Sequence, residues 1–278
     1  MVALSPREAR KISESMFQGV VIVDSSIDRF LQTDGSPETL FFRNTELIKS
    51  HGSTRTALVE MSPSNSASAP PDLFVKAFYN KSPLHSFKHP FRKHRAQTQW
   101  QISWHLLEHG VLVPEPMGYL IKQKGLFWRE GYFFSEALSG CDNLGTLAKN
   151  DKGLSDRLDS GALIEALAGA IALLHDSGVT HGDLKWSNIL VHGKRNEPWF
   201  VDLDAAKLRG RFLGPGYVAR DLARFVLSGV EAGTDASIIN RFLDEYALRR
   251  KVTRESLHRP VTRVLRKLKK RHKKKLRK

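Results

Sequence analysis

The segment His181-Gly182-Asp183-Leu184-Lys185-Trp186-Ser187-Asn188 constrains this chain more than any other, because of what stands on either side of it. Before it runs the strongest helical pattern in the sequence, Leu163 to Ser177, with Leu163, Leu167, Ile171 and Leu174 on one face and Gly178 as a stop. After it come two short strand patterns, Ile189 to Val191 and Trp199 to Val201, joined by a turn. Antiparallel pairing of those strands brings Asn188 and Asp202 side by side, close in sequence to Asp183. Two oxygen donors then converge on one point.

His-x-Asp followed five residues later by Asn, set between an apolar helix and a short strand, is the spacing of a kinase catalytic loop. Phosphoryl transfer from ATP asks for a carboxylate near the acceptor hydroxyl, a metal cage and cations on the phosphates. Asp183 is the candidate base, and Lys185 stands where it can offset charge on the γ-phosphate. Asn188 and Asp202 suit Mg²⁺, which takes few protein ligands and completes its octahedron with water and phosphate oxygens. Upstream, Phe74-Val75-Lys76-Ala77 puts a lysine inside an otherwise apolar strand, where an ammonium is costly without an anionic partner such as ATP phosphate. The turn Ser50 to Thr56, with Gly52, Ser53 and Thr54, either covers phosphates with N–H groups and hydroxyls or is an ordinary hairpin connection.

The rest of the chain reads as α+β. Gly19 to Asp24, Thr45 to Lys49, Arg55 to Met61, Leu73 to Tyr79, Gly118 to Lys122 and Gly131 to Glu136 carry strand patterns, with one helix interposed from Arg95 to His109. The small polar and Pro-rich run Ser62 to Pro71 reads as a hairpin connection. Beyond Ser139-Gly140 the chain turns helical, with further helices over Val218 to Leu227, Ala236 to Arg249 and from Val252 onward. With 278 residues and 41% hydrophobic content, the chain can bury a core in two lobes or one large domain. The expected division is a sheet lobe over residues 1–135, a helical catalytic lobe over 136–250 and a basic tail over 251–278. A single cysteine, Cys141, excludes an internal disulfide framework, and no apolar run reaches the length of a bilayer span. Both features fit a cytoplasmic protein.

Taken in order, Lys76, Gln99-Trp100, Gly110-Val111-Leu112-Val113-Pro114, His181-Gly182-Asp183-Leu184 to Asn188-Ile189-Leu190, Val201-Asp202-Leu203-Asp204 and Arg220-Asp221-Leu222-Ala223 resemble the Kdo/WaaP lipopolysaccharide kinase family, over about residues 45 to 228. The resemblance implies a two-lobed protein-kinase-like fold, MgATP as donor, and a sugar hydroxyl of the lipopolysaccharide inner core, Kdo or heptose, as acceptor. It implies that Lys76 binds the α/β-phosphates, that Asp183 is the base, and that Asn188 and Asp202 hold the metal. It also makes Asp221 a brace for the catalytic-loop backbone and Tyr132 to Leu138 the strand and hinge for adenine, through backbone groups of Glu136 and Leu138. Asp204 stands where protein kinases have a glycine. One departure is Gln99, where a glutamate paired with Lys76 is expected, since an amide accepts a hydrogen bond but does not neutralise an ammonium. That exchange means either a weaker clamp, or substitution by Glu108 or another acid, or a degenerate kinase with reduced turnover acting as a nucleotide-binding membrane scaffold.

The formal charge of +15 is concentrated at one end. Residues 259–278 hold twelve of the 44 Lys and Arg and no acid, which leaves 32 basic against 29 acidic residues elsewhere. A thin apolar stripe at Val261, Leu265 and Leu268 makes this end an amphipathic basic helix suited to an anionic membrane surface, the cytoplasmic face of the inner membrane. The alternatives are a solvated tail or nonspecific polyanion binding. Nucleic acid, through an RNA-associated substrate, is disfavoured because residues 259–278 contain no Phe, Tyr or Trp to stack a base. A small soluble alcohol as acceptor asks for an acidic pocket that the sequence does not display. The basic run Lys81 to His94 is either a solvated loop or an approach to phosphorylated sugar, and the eleven histidines offer no zinc-ligand spacing.

Overall fold

Alternation in the first third of the chain becomes one antiparallel sheet in the computed structural model, which describes residues 8–13, 16–33, 36–42, 45–51, 53–61, 73–79, 93–124, 127–150, 154, 157–158, 161–192, 195–210 and 213–276. Its strands are β1 (Ala9–Ser13), β2 (Phe17–Ile22), β3 (Thr45–His51), β4 (Thr54–Val59), β5 (Leu73–Tyr79), β6 (Pro116–Lys124) and β7 (Phe127–Glu136), in the order β1-β2-β6-β7-β5-β4-β3. Gly52 and the runs 62–72 and 80–92 lie outside the described residues.

β5 shows why both faces are covered. Leu73, Val75 and Ala77 point into one core with Val21, Leu120, Tyr132 and Phe134, closed by α1 (Ser26–Thr33) and a 3-10 turn over Pro37–Phe42. The other parity, Lys76 and Phe78, lies on the opposite face beside Phe133, which stands across from Lys76 in register. There α2 (Arg95–Glu108) packs Ala96 and Trp100 against Phe78 and Phe133. Two core clusters on opposite pleat faces follow directly from the period of two.

By its internal contacts the chain divides into two units, Met1–Trp104 with Pro114–Ser139, and His105–Val113 with Gly140–Lys278. The second is largely helical, with α3 (Leu144–Asn150), α4 (Ala162–Asp176), α5 (Pro215–Glu231), α6 (Ala236–Arg249) and α7 (Arg254–Leu276). Short strands β8 (Cys141–Asn143), β9 (Val179–Thr180), β10 (Ile189–His192), β11 (Pro198–Phe200) and β12 (Lys207–Leu208) punctuate it, with β10 between β11 and β8, and β12 paired to β9. Gly178 ends α4 with φ +79, and a Cβ there would meet the Gly210 carbonyl oxygen at 2.6 Å. The stop signal is therefore also a close backbone crossing.

α7 packs along α5 and α6, burying Leu257 and Val261 and half-burying Val264, Leu265 and Leu268. The thin apolar stripe of the basic end thus faces the fold, buried at Val261 and half-buried at Leu265 and Leu268, and the exposed face keeps Arg259, Arg263, Arg266, Lys267, Lys269, Lys270 and Arg271. Among the described residues no helix is long and apolar enough to cross a membrane.

Candidate active site

The loop 181–188 alternates inward and outward. Leu184, Trp186 and Asn188 are buried, whereas the side chains of Asp183 and Lys185 are 42% and 40% exposed. Apolar anchors on one side of an extended segment thereby hold the two charged groups on the other. Trp186 is clamped hardest. Its ring lies tilted against Phe225 with centres 5.8 Å apart, its backbone N–H donates to Ser228 Oγ at 3.1 Å, and Gly229 on α5 leaves the space the ring occupies.

Asp221, the seventh residue of α5, fixes the start of the loop. Its two carboxylate oxygens accept the N–H groups of His181 at 2.7 Å and Gly182 at 2.9 Å, and it is 1% exposed. Burial alone would push this carboxyl up, but a hydrogen bond and charge from His175 and the backbone and ring of His181 outweigh it and hold the group below the usual carboxylate range. Behind Asp221 the chain of contacts continues, with His175 Nε2 3.5 Å from Oδ2 and His175 Nδ1 2.7 Å from the Tyr246 hydroxyl.

His181 links the loop to the strand that precedes Asp202. Because a carbonyl only accepts, His181 Nε2 carries the proton and donates to the Val201 oxygen at 3.1 Å. Full burial favours its neutral form and lowers its pKa, against the opposing pull of Asp221, Asp202 and Asp183. Gly182, at φ +80, passes so close to Ala205 that a Cβ would sit 2.4 Å from that carbonyl oxygen.

The β10–β11 pairing, Ile189 opposite Phe200, places Asn188 at the mouth of the hairpin, where its carbonyl accepts the Val201 N–H at 3.1 Å. Asp202 is the next residue and takes the left-handed conformation, φ 60 and ψ 53, which aspartate tolerates better than most residues with a Cβ. The Asn188 amide nitrogen donates to the Asp183 carbonyl at 3.0 Å and to Asp183 Oδ2 at 3.3 Å, so its oxygen is turned away from that carboxylate. An amide oxygen and a carboxylate are hard donors, a set that fits Mg²⁺. Lys185 Nζ lies 3.0 Å from Asp183 Oδ2, and Arg224 Nε on α5 lies 4.0 Å from Oδ1. The structure therefore brings Asp183, Lys185, Asn188 and the strand end before Asp202 together within one unit.

The remaining candidates lie in the sheet unit. Lys76 is buried on the face covered by α2, with Nζ 5.5 Å from the centre of the Phe78 ring. Gln99, also buried, leaves its Oε1 without a hydrogen-bond partner among the described residues. Ser53 precedes β4, its carbonyl accepting the Tyr79 N–H at 2.8 Å, and Thr54 opens that strand, while Gly52 is outside the described residues. The Glu136 N–H donates to the Glu115 carbonyl at 2.9 Å and its side chain accepts the Glu115 N–H at 2.8 Å. Its own carbonyl accepts from Ser135 Oγ at 3.2 Å and retains a second lone pair, and Leu138 follows as a half-buried residue outside β7.

Sequence reasoning did not pick out Arg224, Ser228 or the His175–Tyr246 pair. Arg224, Ser228 and Tyr246 lie tens of residues beyond the loop, while His175 sits at the end of α4 just before it; the helical period of α5, which puts Asp221, Arg224 and Ser228 successively along the loop, could have pointed only to Arg224 and Ser228.

A family model described as the lipopolysaccharide kinase (Kdo/WaaP) family matches residues 44–246. Among solved structures, "WaaP in complex with acyl carrier protein" superposes with a TM-score of 0.64 at 19% identity, covering 91% of this chain and 98% of that one. "Glucosamine kinase in complex with glucosamine, ADP and inorganic phosphate" gives a TM-score of 0.52 at 15% identity, covering 90% of this chain and 73% of that one. These likenesses identify a shared kinase-like α+β fold. A search of curated proteins returns no match.

Proposed function

The chain belongs to the lipopolysaccharide kinase (Kdo/WaaP) family, a phosphotransferase family acting on a sugar hydroxyl, and from that premise we propose that it transfers the γ-phosphate of MgATP to Kdo or heptose of the inner core. The observation that carries this reading is the Asp183 carboxylate, exposed between Lys185 and Arg224 on a loop whose backbone is held by buried Asp221. Asp183 accepts the acceptor hydroxyl proton as the oxygen attacks, and Asn188 fixes that carboxylate through its amide N–H. Lys185 exchanges its contact with Asp183 for the γ-phosphate when nucleotide is bound, offsetting charge there.

Asn188 and Asp202 would hold Mg²⁺, which neutralises the β- and γ-phosphate oxygens. Lys76 binds the α- and β-phosphates, with Ser53, Thr54 and Gly52 over the phosphates and the backbone of Glu136 and Leu138 on adenine. Gln99 supplies a neutral partner on the α2 face that covers Lys76. The proposed setting is the cytoplasmic face of the inner membrane, reached through the cationic face of α7, and the expected organisation is a nucleotide-clamping sheet lobe with a helical catalytic lobe.

The test is ATP consumption with purified core oligosaccharide, wild type against Asp183→Asn, with mass spectrometry of the product. The expected result is a phosphate on a core sugar and a loss of about 10²- to 10⁴-fold in kcat for the variant. Wild-type turnover no greater than that of Asp183→Asn would leave a nucleotide-binding scaffold and refute the enzymatic reading.

A further inference from the structure

Helix α5 presents two faces with different chemistry. Val218, Asp221, Leu222 and Phe225 are buried, while Tyr217, Arg220 and Arg224 form a stripe on the outer side at spacings of three and four. Arg224, at one end, reaches Asp183. At the other end Tyr217 is 38% exposed and receives two guanidinium groups, Arg209 at 4.2 Å and Arg220 at 5.6 Å from the ring centre.

Among the described residues neither Arg209 nor Arg220 has a carboxylate within ion-pair distance, and both are exposed. Two like charges gathered on one ring repel each other, and an anion between them removes that repulsion. Guanidinium is also the side chain whose geometry matches a carboxylate or phosphate with paired N–H bonds. The tyrosine ring holds the two guanidinium groups beside each other, and its exposed edge lies next to the anion they would bind. The seven helical steps from Tyr217 to Arg224 span roughly 10 Å, about the length of a disaccharide.

We propose that Tyr217, Arg209 and Arg220 form an acceptor subsite for an anionic saccharide, binding a carboxylate or phosphate on the sugar next to the one whose hydroxyl meets Asp183. The assignment rests on reading Asp183 as the catalytic base. Its consequence is specificity: the enzyme selects an acceptor by the charge of a neighbouring residue, at a distance from the reacting oxygen.

Calorimetry at one low ionic strength tests this with the full chain and three probes: core oligosaccharide intact, with its carboxylates reduced to alcohols, and with its phosphates removed. Wild type is expected to bind one of the two stripped probes at least about tenfold more weakly than the intact one, which identifies the anion. Arg209→Ala/Arg220→Ala is expected to bind all three alike, with an unchanged melting temperature, and Tyr217→Ala to bind all three more weakly. Equal wild-type affinity for the three probes overturns the subsite, as does a charge preference that survives in the double variant, which would put the contact on α7. The two readings fail separately. Asp183-dependent transfer that ignores acceptor charge removes the subsite alone, whereas charge-selective binding without Asp183-dependent transfer removes the chemistry and leaves the subsite.

Discussion

Asp221 accomplishes with one side chain what a peptide loop cannot do for itself: it gives two adjacent buried N–H groups acceptors of full negative charge. Asparagine cannot reproduce this, because one of its two acceptor positions becomes an NH₂ facing an N–H donor. Asp221→Asn is expected to lower stability by about 2 to 3 kcal/mol, the cost of an unsatisfied buried donor and a lost charge-assisted bond. Thermal denaturation checks the first effect. The second, a kcat loss with KM for ATP little changed, separates loop positioning from nucleotide binding. Gly182→Ala attacks the same loop by sterics. With φ at +80 and the Ala205 oxygen 2.4 Å from the new Cβ, the backbone must shift, costing about 2 kcal/mol or more, and the melting temperature falls with activity. The spacing of Asp183, Asn188 and Asp202 was legible because all three fall within 20 residues and one hairpin joins them. Arg224 and Tyr217 were not, since nothing in a charged or aromatic residue on a helix tells which loop it will face.

At the scale of elements, α2 carries a pH dependence in its first turn. His94 precedes the helix, and its Nδ1 accepts the Ala96 N–H at 3.1 Å, which only an unprotonated nitrogen can do. Burial, and secondarily the charge of Arg95, bring its pKa down from 6.5 to about 4. Between those values the unfolded chain binds the proton and the folded one does not, so stability is complete above about pH 6.5 and declines toward pH 4, by about 3 kcal/mol at most. Urea denaturation at pH 7 and pH 5 should show a smaller acid loss in His94→Asn, whose cap does not titrate; equal losses would remove His94 as the cause. The same helix carries Gln99, and Gln99→Glu puts a carboxylate on the face that covers Lys76. The expected effect is a KM for ATP lower by about threefold to tenfold, since a charge-assisted partner is the stronger one. Leu73 to Tyr79 and Ala236 to Arg249 were read from the sequence to the residue, each having a clean period and punctuated ends. β1 and α1 escaped. Ala-Arg-Lys-Ile-Ser buries only Ile12 on an edge strand, and the eight residues of α1 are too few to establish a helical period.

Over the whole molecule, charge is segregated rather than spread, and α7 changes what that segregation means. Its basic residues were legible, and so was its helical stripe, but a sequence cannot say whether an apolar stripe meets lipid or protein. Here it meets α5 and α6, with Val261 2% exposed and Arg254 paired to Asp244 at 3.1 Å. Any attraction to an anionic leaflet must therefore come from the cationic face without insertion of the stripe, and must be steeply dependent on salt. Deleting the helix is the wrong experiment, since it uncovers the core of the helical unit. Lys267→Glu/Lys269→Glu/Lys270→Glu changes only exposed positions. At about 1 kcal/mol for each cation near a charged surface, the triple variant is expected to lose on the order of 10²-fold or more in partition onto anionic vesicles, with no change in melting temperature. Co-sedimentation at low and physiological salt measures this, alongside an RNA gel shift at matched salt. Vesicle binding that is indifferent to the three reversals, or RNA binding that persists at high salt where vesicle binding is lost, would move the partner of this face from the membrane to another polyanion.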